Sequence, residues 1–154
     1  ARAKGELIAR MDADDLANPD RLALQKAYMD AHPEIVLCGM SIEKIDAQGD
    51  LISIEDRTLS AAQLTWVARL SMPLIHPTVM LRKSLTQGSS GVFYPNERIA
   101  QDFALITSAL AHGDVASMSE IGLAYRVHAT SITLSKEVEQ NRQGRLTFRP
   151  HLDL

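Results

Sequence analysis

Three aspartates in four residues, Asp12, Asp14 and Asp15, follow the apolar run LIARM at residues 7–11. Carboxylates this crowded repel one another unless a cation, a donor or water relieves them. Aspartates one residue apart converge on a single hard cation when the backbone turns directly after a strand. Carboxylate oxygens favour Mg²⁺, Mn²⁺ or Ca²⁺. The other reading of the same residues is a solvated loop that also caps the helix beginning near Pro19. Two rival metal motifs fail on position. An EF-hand begun at Asp12 needs an oxygen ligand, a glycine and a glutamate where Leu16, Ala17 and Ala23 stand. A phosphatase-type DxDx(T/V) loop needs Thr or Val at Leu16.

Asp102, in the run Gln101-Asp102-Phe103, sits at the start of a helical pattern. It reads either as a surface acid that complements the helix dipole or as a carboxylate that takes a proton from an alcohol. His128 follows a strand-like stretch, and a neutral imidazole there is a good extra ligand beside carboxylates. The plainer reading is a structural or solvated histidine. His76, between Ile75 and Pro77, lines a pocket or bonds to backbone. Arg82, Lys83 and Arg126 are candidate anion contacts or solvated cations. Cys38 reads as an inert buried thiol and Trp66 as a core residue.

The elements that must position these groups alternate. Residues 7–11 suit a buried strand. Asn18 as N-cap, Pro19 in the first turn and Asp20 on the dipole open a helix that Pro33 ends. Its apolar stripe is Leu24, Ala27, Tyr28 and Ala31. Residues 34–46 and 51–54 read as a β-hairpin around the turn Ala47-Gln48-Gly49-Asp50. Ser60 to Gln63 is a capping box before a helical face of Leu64, Val67 and Ala68. Residues 78–82 suit a strand, and QGSSG at 87–91 a mobile loop. Residues 98–112 are helical and stop at Gly113. Residues 115–118 and 121–127 suggest two short strands, and 136–146 a terminal amphipathic helix. Alternating strands and helices predict an α/β domain with a mixed sheet.

Composition narrows the classes. The chain has 154 residues, 45% hydrophobic and 23% charged, as in an ordinary globular domain. Sixteen basic against nineteen acidic residues give a net charge of −3, which argues against nucleic acid as a partner on a broad basic face. No apolar run approaches the roughly 20 residues needed to cross a bilayer. One cysteine excludes an internal disulfide framework. The sequence opens on ARAKGELIARMDADD, the end of a helix running into a strand. That opening predicts a fragment of a longer chain, with exposed strand edges able to drive homodimerisation.

In this order the segments KGELIARMDADDLANPDRLALQ, HPEIVLCGMSIEKIDAQGDLI, PLIHPTVMLRKS, QDF and LAYRVHATSIT resemble family 2 glycosyltransferases of the GT-A fold. The resemblance is to bacterial polysaccharide-type members and runs from about Lys4 to Thr133. It implies that residues 1–134 form the C-terminal part of a GT-A (Rossmann-like) domain, without its nucleotide-binding half, and that 135–154 form a helix or tail. It implies a metal-dependent inverting transferase acting in the cytoplasm. A nucleotide-diphosphate sugar would be the donor, and a glycan or lipid-linked alcohol the acceptor. By the same resemblance Asp12, Asp14 and Asp15 match the DxD motif and its acidic follower, and contact donor and cation. Asp102 matches the catalytic base. His76, with Pro77 and Thr78, matches a stretch lining the donor and acceptor cleft, Arg126 joins the donor-binding residues, and Asp14 with His128 would hold Mn²⁺ or Mg²⁺. The usual Glu before the base is Gln101 here. That departure keeps open a non-catalytic binding or assembly module on the same fold. A nucleotidyltransferase would need a basic nucleotide-binding signature that this chain does not show.

Overall fold

The computed structural model describes residues 3–86 and 101–127. The loop at 87–91, the start of the helix at 98–100, His128 and the expected terminal helix and tail lie outside the described residues.

The spine of the sheet is β3 (Ile35–Ile45), buried along most of its length on both faces. On one side it pairs in parallel with β6 (Asp114–Arg126). On the other it pairs antiparallel, first with β5 (Met80–Arg82) and further along with β4 (Leu51–Glu55). The edge strands are β1 (Leu7–Ala9), antiparallel to β5, and the two-residue β2 (Leu16–Ala17), antiparallel to β6. The six strands form one mixed sheet, so the expected fold class stands. Two pairings in series invert twice, so β1, β3 and β6 all point the same way.

Successive residues face opposite layers. Leu37, Leu81 and Val115 join Leu64, Leu74, Leu105, Ile106 and Ala109 in a core between the sheet and two helices, α2 (Ala61–Val67) and α3 (Gln101–Leu110). Their sequence neighbours Cys38, Met80 and Ala116 face the other way. They pack with Met40, Met118 and Met29 beneath α1 (Arg21–Ala31). The result is three layers, helix on sheet on helix. Among the described residues no helix is long and apolar enough to cross a membrane.

Local chemistry explains the turns. The β3–β4 turn is held by Asp46, whose Oδ1 accepts the N–H groups of Gln48, Gly49 and Asp50, each at 2.9 Å. Gly49 takes φ +98°, a conformation that costs a side-chain-bearing residue. Ser60 and Gln63 form the expected capping box.

Five expectations change. The run read as a buried strand, residues 7–11, is a three-residue edge strand, β1, half-buried at Leu7 and Ile8 and exposed at Ala9, because only β5 pairs with it. The residues read as two strands, 115–118 and 121–127, are one strand, β6. Its register against β3 slips between Met40 and Ile42, leaving Ser119, Glu120 and Gly122 without partners on β3. A bulge of this kind re-aims a strand without ending it. Asn18 is not the helix cap. Asp20 occupies that position without a side-chain bond, and Asn18 instead closes the preceding turn by accepting the Asp20 and Arg21 N–H groups at 3.0 Å each. Trp66 is 63% exposed, because α2 is short and Leu64 is its one buried residue. The buried face of α1 is Arg21, Gln25 and Met29, not the Leu24 stripe. Leu22 and Leu24 lie exposed.

Candidate functional site

The acidic turn leaves β1 at Arg10, whose backbone is fixed on both sides. Its N–H donates to the Val79 carbonyl at 2.9 Å, and its own carbonyl accepts from Arg21 Nη2 at 2.7 Å. The three aspartates then diverge in role. Asp12 is partly exposed and accepts from Arg10 Nη2 at 2.8 Å. Asp14 is exposed. Asp15 turns inward and is 5% exposed; its Oδ1 accepts the Arg126 N–H at 2.9 Å. Its Oδ2 is buried with no hydrogen-bond partner among the described residues. Burial pushes the Asp15 carboxyl above its usual range, the Arg126 N–H opposes that, and the charges of Asp14 and Asp12 add to the rise.

Arg126 ends β6 and clamps this turn. Its Nε donates to the Asp14 carbonyl at 3.1 Å, and Nη1 donates to the carbonyls of Asp46 and Ala47 at 2.9 and 3.1 Å. The structure therefore gathers Asp14, Asp15, the β3–β4 turn and Arg126 beyond the carboxyl ends of co-directional strands, where α/β sheets bind ligands. The guanidinium of Arg126 is occupied by main-chain carbonyls. Arg82 is engaged in the same way. Its Nε and Nη2 donate to Ile35, Met29 and His32 carbonyls, tying β5 to the end of α1.

His76 and Asp102 approach from the other wall. The 3₁₀ turn His76–Thr78 precedes β5. It is locked by Thr78, whose hydroxyl donates to the Ile75 carbonyl at 2.7 Å and accepts the Met40 N–H at 3.0 Å. Asp102 lies in the first turn of α3, and its Oδ1 accepts the Phe103 N–H at 2.8 Å. His76 joins this wall to the acidic turn. Burial pushes its imidazole down to about 4. The Arg10 charge pushes the same way, and the Asp102 charge pulls it back up. The charges of Arg10 and Asp102 thus act on His76 with opposite sign. The imidazole is neutral at pH 7.

Sequence reasoning missed Arg10, although a signal was present. On extended backbone, residues two apart share a face, so a basic residue two before Asp12 is placed to pair with it. It also missed Arg21 and Gln25, which an apolar-stripe search cannot find. Cys38 is buried as expected, and burial pushes its thiol up to about 11, so it is no nucleophile near neutral pH.

The donor chemistry of the turn fits a hard divalent cation. Asp14 presents carboxylate oxygen at the surface, and Asp12 is held beside it. Among the described residues no three His, Cys, Asp or Glu side chains form a metal-holding group. The expected second ligand, His128, lies outside the described residues.

Comparison with known proteins gives a consistent result. The chain is 30% identical over 128 residues to the amylovoran biosynthesis glycosyltransferase AmsE of Erwinia amylovora, covering 81% of this chain and 46% of that protein. It is 27% identical over 135 residues to an uncharacterized glycosyltransferase of Haemophilus influenzae, covering 86% and 49%. The chain spans about half the length of the curated relatives it matches. The crystal structure of S. aureus TarS shares its fold, with a TM-score of 0.58 at 19% identity over 82% of this chain and 22% of that one. The family model for glycosyl transferase family 2 matches residues 1–87, more than half of the sequence, and the chain belongs to that family.

Proposed function

We propose that this chain carries the cation-holding turn and the catalytic base of an inverting glycosyltransferase. The parent protein would move a sugar from a nucleotide-diphosphate sugar to an acceptor hydroxyl in bacterial glycan synthesis. The observation that carries the reading is the built acidic turn of a family 2 glycosyltransferase chain, with Asp12 held by Arg10 at 2.8 Å, Asp15 by the Arg126 N–H at 2.9 Å and Asp14 exposed between them. The turn suits a donor diphosphate, and Asp102 at the start of α3 suits an alcohol. The relative named for amylovoran biosynthesis supports a polysaccharide context.

The residues divide the work. Asp102 accepts the proton of the acceptor hydroxyl as that oxygen attacks the anomeric carbon. The bond from that carbon to the diphosphate oxygen breaks, and its electron pair leaves with the diphosphate. General-base help of this kind is worth about 10²–10⁴-fold. Arg10 orients Asp12, and Arg126 holds the backbone from which Asp14 projects. Asp14, with His128, would hold Mg²⁺ or Mn²⁺, which would supply Lewis-acid stabilisation of the developing negative charge. One displacement needs no covalent intermediate, in keeping with a buried, protonated Cys38.

The full-length parent assayed with nucleotide-sugars and Mn²⁺ tests the reading. Asp102→Asn should lower transfer by at least 10²-fold while leaving donor affinity within a few-fold, and EDTA should abolish turnover. Transfer at the wild-type rate by Asp102→Asn overturns the assignment. The second reading, a non-catalytic module, rests on Gln101 in place of the usual Glu. It predicts donor binding without turnover in the wild type.

A further inference from the structure

The face that α1 turns toward the sheet carries an arginine and a glutamine where a helix of this type ordinarily carries leucines. Arg21 is 1% exposed and Gln25 is fully buried. Burying a guanidinium and an amide is expensive unless each finds hydrogen-bond partners. The partners they find are informative. Arg21 Nη2 donates to the Arg10 carbonyl at 2.7 Å, and Arg21 Nε donates to Gln25 Oε1 at 3.1 Å. Gln25 Nε2 donates to the Thr78 carbonyl at 2.8 Å. The bonds run without a break from the residue that launches the acidic turn to the residue that ends the His76–Thr78 turn. No ion pair within 4.0 Å joins Arg21 to a carboxylate among the described residues. Its partners here are the Arg10 carbonyl and Gln25 Oε1, and Gln25 in turn reaches the Thr78 carbonyl.

We propose that Arg21 and Gln25 are positioning residues of the transferase site, a two-side-chain relay that sets the spacing between the acidic turn and the His76–Asp102 wall. The inference rests on the glycosyltransferase reading above and deepens it. Neither residue touches the reacting atoms. Each fixes one carbonyl. The main chain already joins the two turns through the Arg10 N–H on the Val79 carbonyl at 2.9 Å and the β1–β5 ladder. The relay adds α1 to that joint, so that the Arg10 and Thr78 carbonyls are both held by side chains of one helix. Displacing a catalytic group by about 1 Å costs on the order of 10²-fold in rate, so a tie of this kind acts on turnover more than on affinity.

The test uses the full-length parent and four variants: Gln25→Met, Arg21→Met, the double variant and Arg21→Lys. Methionine keeps the volume near that of glutamine and the core filled. Thermal melting first establishes that each variant is folded at the assay temperature. Per folded enzyme, Gln25→Met should lower kcat by about 10- to 100-fold with donor KM within about threefold. Arg21→Met should do similar damage, and the double variant should be no worse than either single one, because a relay is broken once. Arg21→Lys should fail to rescue, since a point-charge ammonium cannot serve the Arg10 carbonyl and Gln25 together. Wild-type kcat in folded Gln25→Met overturns the inference, as do losses that multiply in the double variant. Where a single variant does not fold, Gln25→Glu replaces it, because it keeps the acceptor toward Arg21 but loses the donor toward Thr78. It should lower kcat in the same way, and wild-type kcat again overturns the inference. A wild-type parent that binds donor but never transfers sugar fails at the earlier step and is a failure of the transferase reading itself.

Discussion

Acidifying the protein from pH 7 to pH 5 should weaken the fold through one side chain, His76. In the unfolded chain its imidazole titrates near 6.5, and in the fold near 4, because burial and the Arg10 charge disfavour the cation more than Asp102 favours it. The sign follows from proton counting. Between those values the unfolded state binds a proton that the folded state does not, so stability falls as pH falls through 6.5 and levels off below about 4. With those two values the linkage integral gives a loss of about 2 kcal/mol between pH 7 and pH 5. The full loss below pH 4 is about 3 kcal/mol by the same relation. A loss of about 2 kcal/mol moves a urea midpoint down by about 1 M for a domain of this size. The assay is urea unfolding at pH 7 and pH 5, for the wild type and His76→Gln. Asp15 titrates with the opposite sign, since its carboxyl is raised by folding. The subtraction between the two proteins removes that contribution. The variant should lose far less on acidification than the wild type. Equal losses would mean that other groups carry the acid sensitivity and that His76 is not held neutral. Arg10→Met gives an internal check, because removing the repelling charge should make the wild-type slope shallower.

Other perturbations separate the turn from the core. Arg126→Met should remove the bonds to the Asp14, Asp46 and Ala47 carbonyls while leaving its own N–H on Asp15. Because these carbonyls are partly exposed, stability should fall by only about 1–2 kcal/mol by urea titration, while kcat of the parent falls about tenfold or more. Gly49→Ala should lower stability by about 1–2 kcal/mol through backbone strain alone, since a Cβ there meets nothing within 4 Å. Transfer activity should be unchanged in Gly49→Ala.

Much of this was legible in the residues. The central strand was legible because a strand buried on both faces leaves a nearly continuous apolar run, as in residues 35–42. The capping box and the Asp46 turn are local chemistry and need no tertiary information. The readings that failed depended on which neighbour a face would meet, although the α2 face of Leu64 and Ala68 and the buried Cys38 were read correctly. Leu24 and Ala27 make an apolar stripe, but α1 was rotated away from it by the bonds that Arg21 and Gln25 make to distant carbonyls. Residues 115–118 and 121–127 looked separate because Ser119 and Glu120 interrupt the apolar pattern. The bulge absorbs them without breaking the strand. The site residues were placed by spacing and resemblance, yet the ties between them run through Arg10, Arg21 and main-chain carbonyls. Carbonyls leave no mark on a sequence.

That division has a physical cause. An acidic turn at a strand end is unstable by itself, because crowded carboxylates repel and an irregular backbone leaves carbonyls unpaired. Apolar packing cannot cure either fault, since it offers neither charge nor donors. Only arginine supplies both, with a planar fork able to serve a carboxylate or several carbonyls at once. Three arginines surround the turn in three different ways. Arg10 meets the Asp12 carboxylate, Arg126 meets the Asp14 carbonyl, and Arg21 meets the Arg10 carbonyl from beneath. The arrangement lets Asp14 stay at the surface while its two acidic neighbours are held, one by a salt bridge and one by a backbone N–H. A turn built in this way keeps its shape whether or not a ligand neutralises it, which is the condition for a preorganised site rather than one assembled by its substrate.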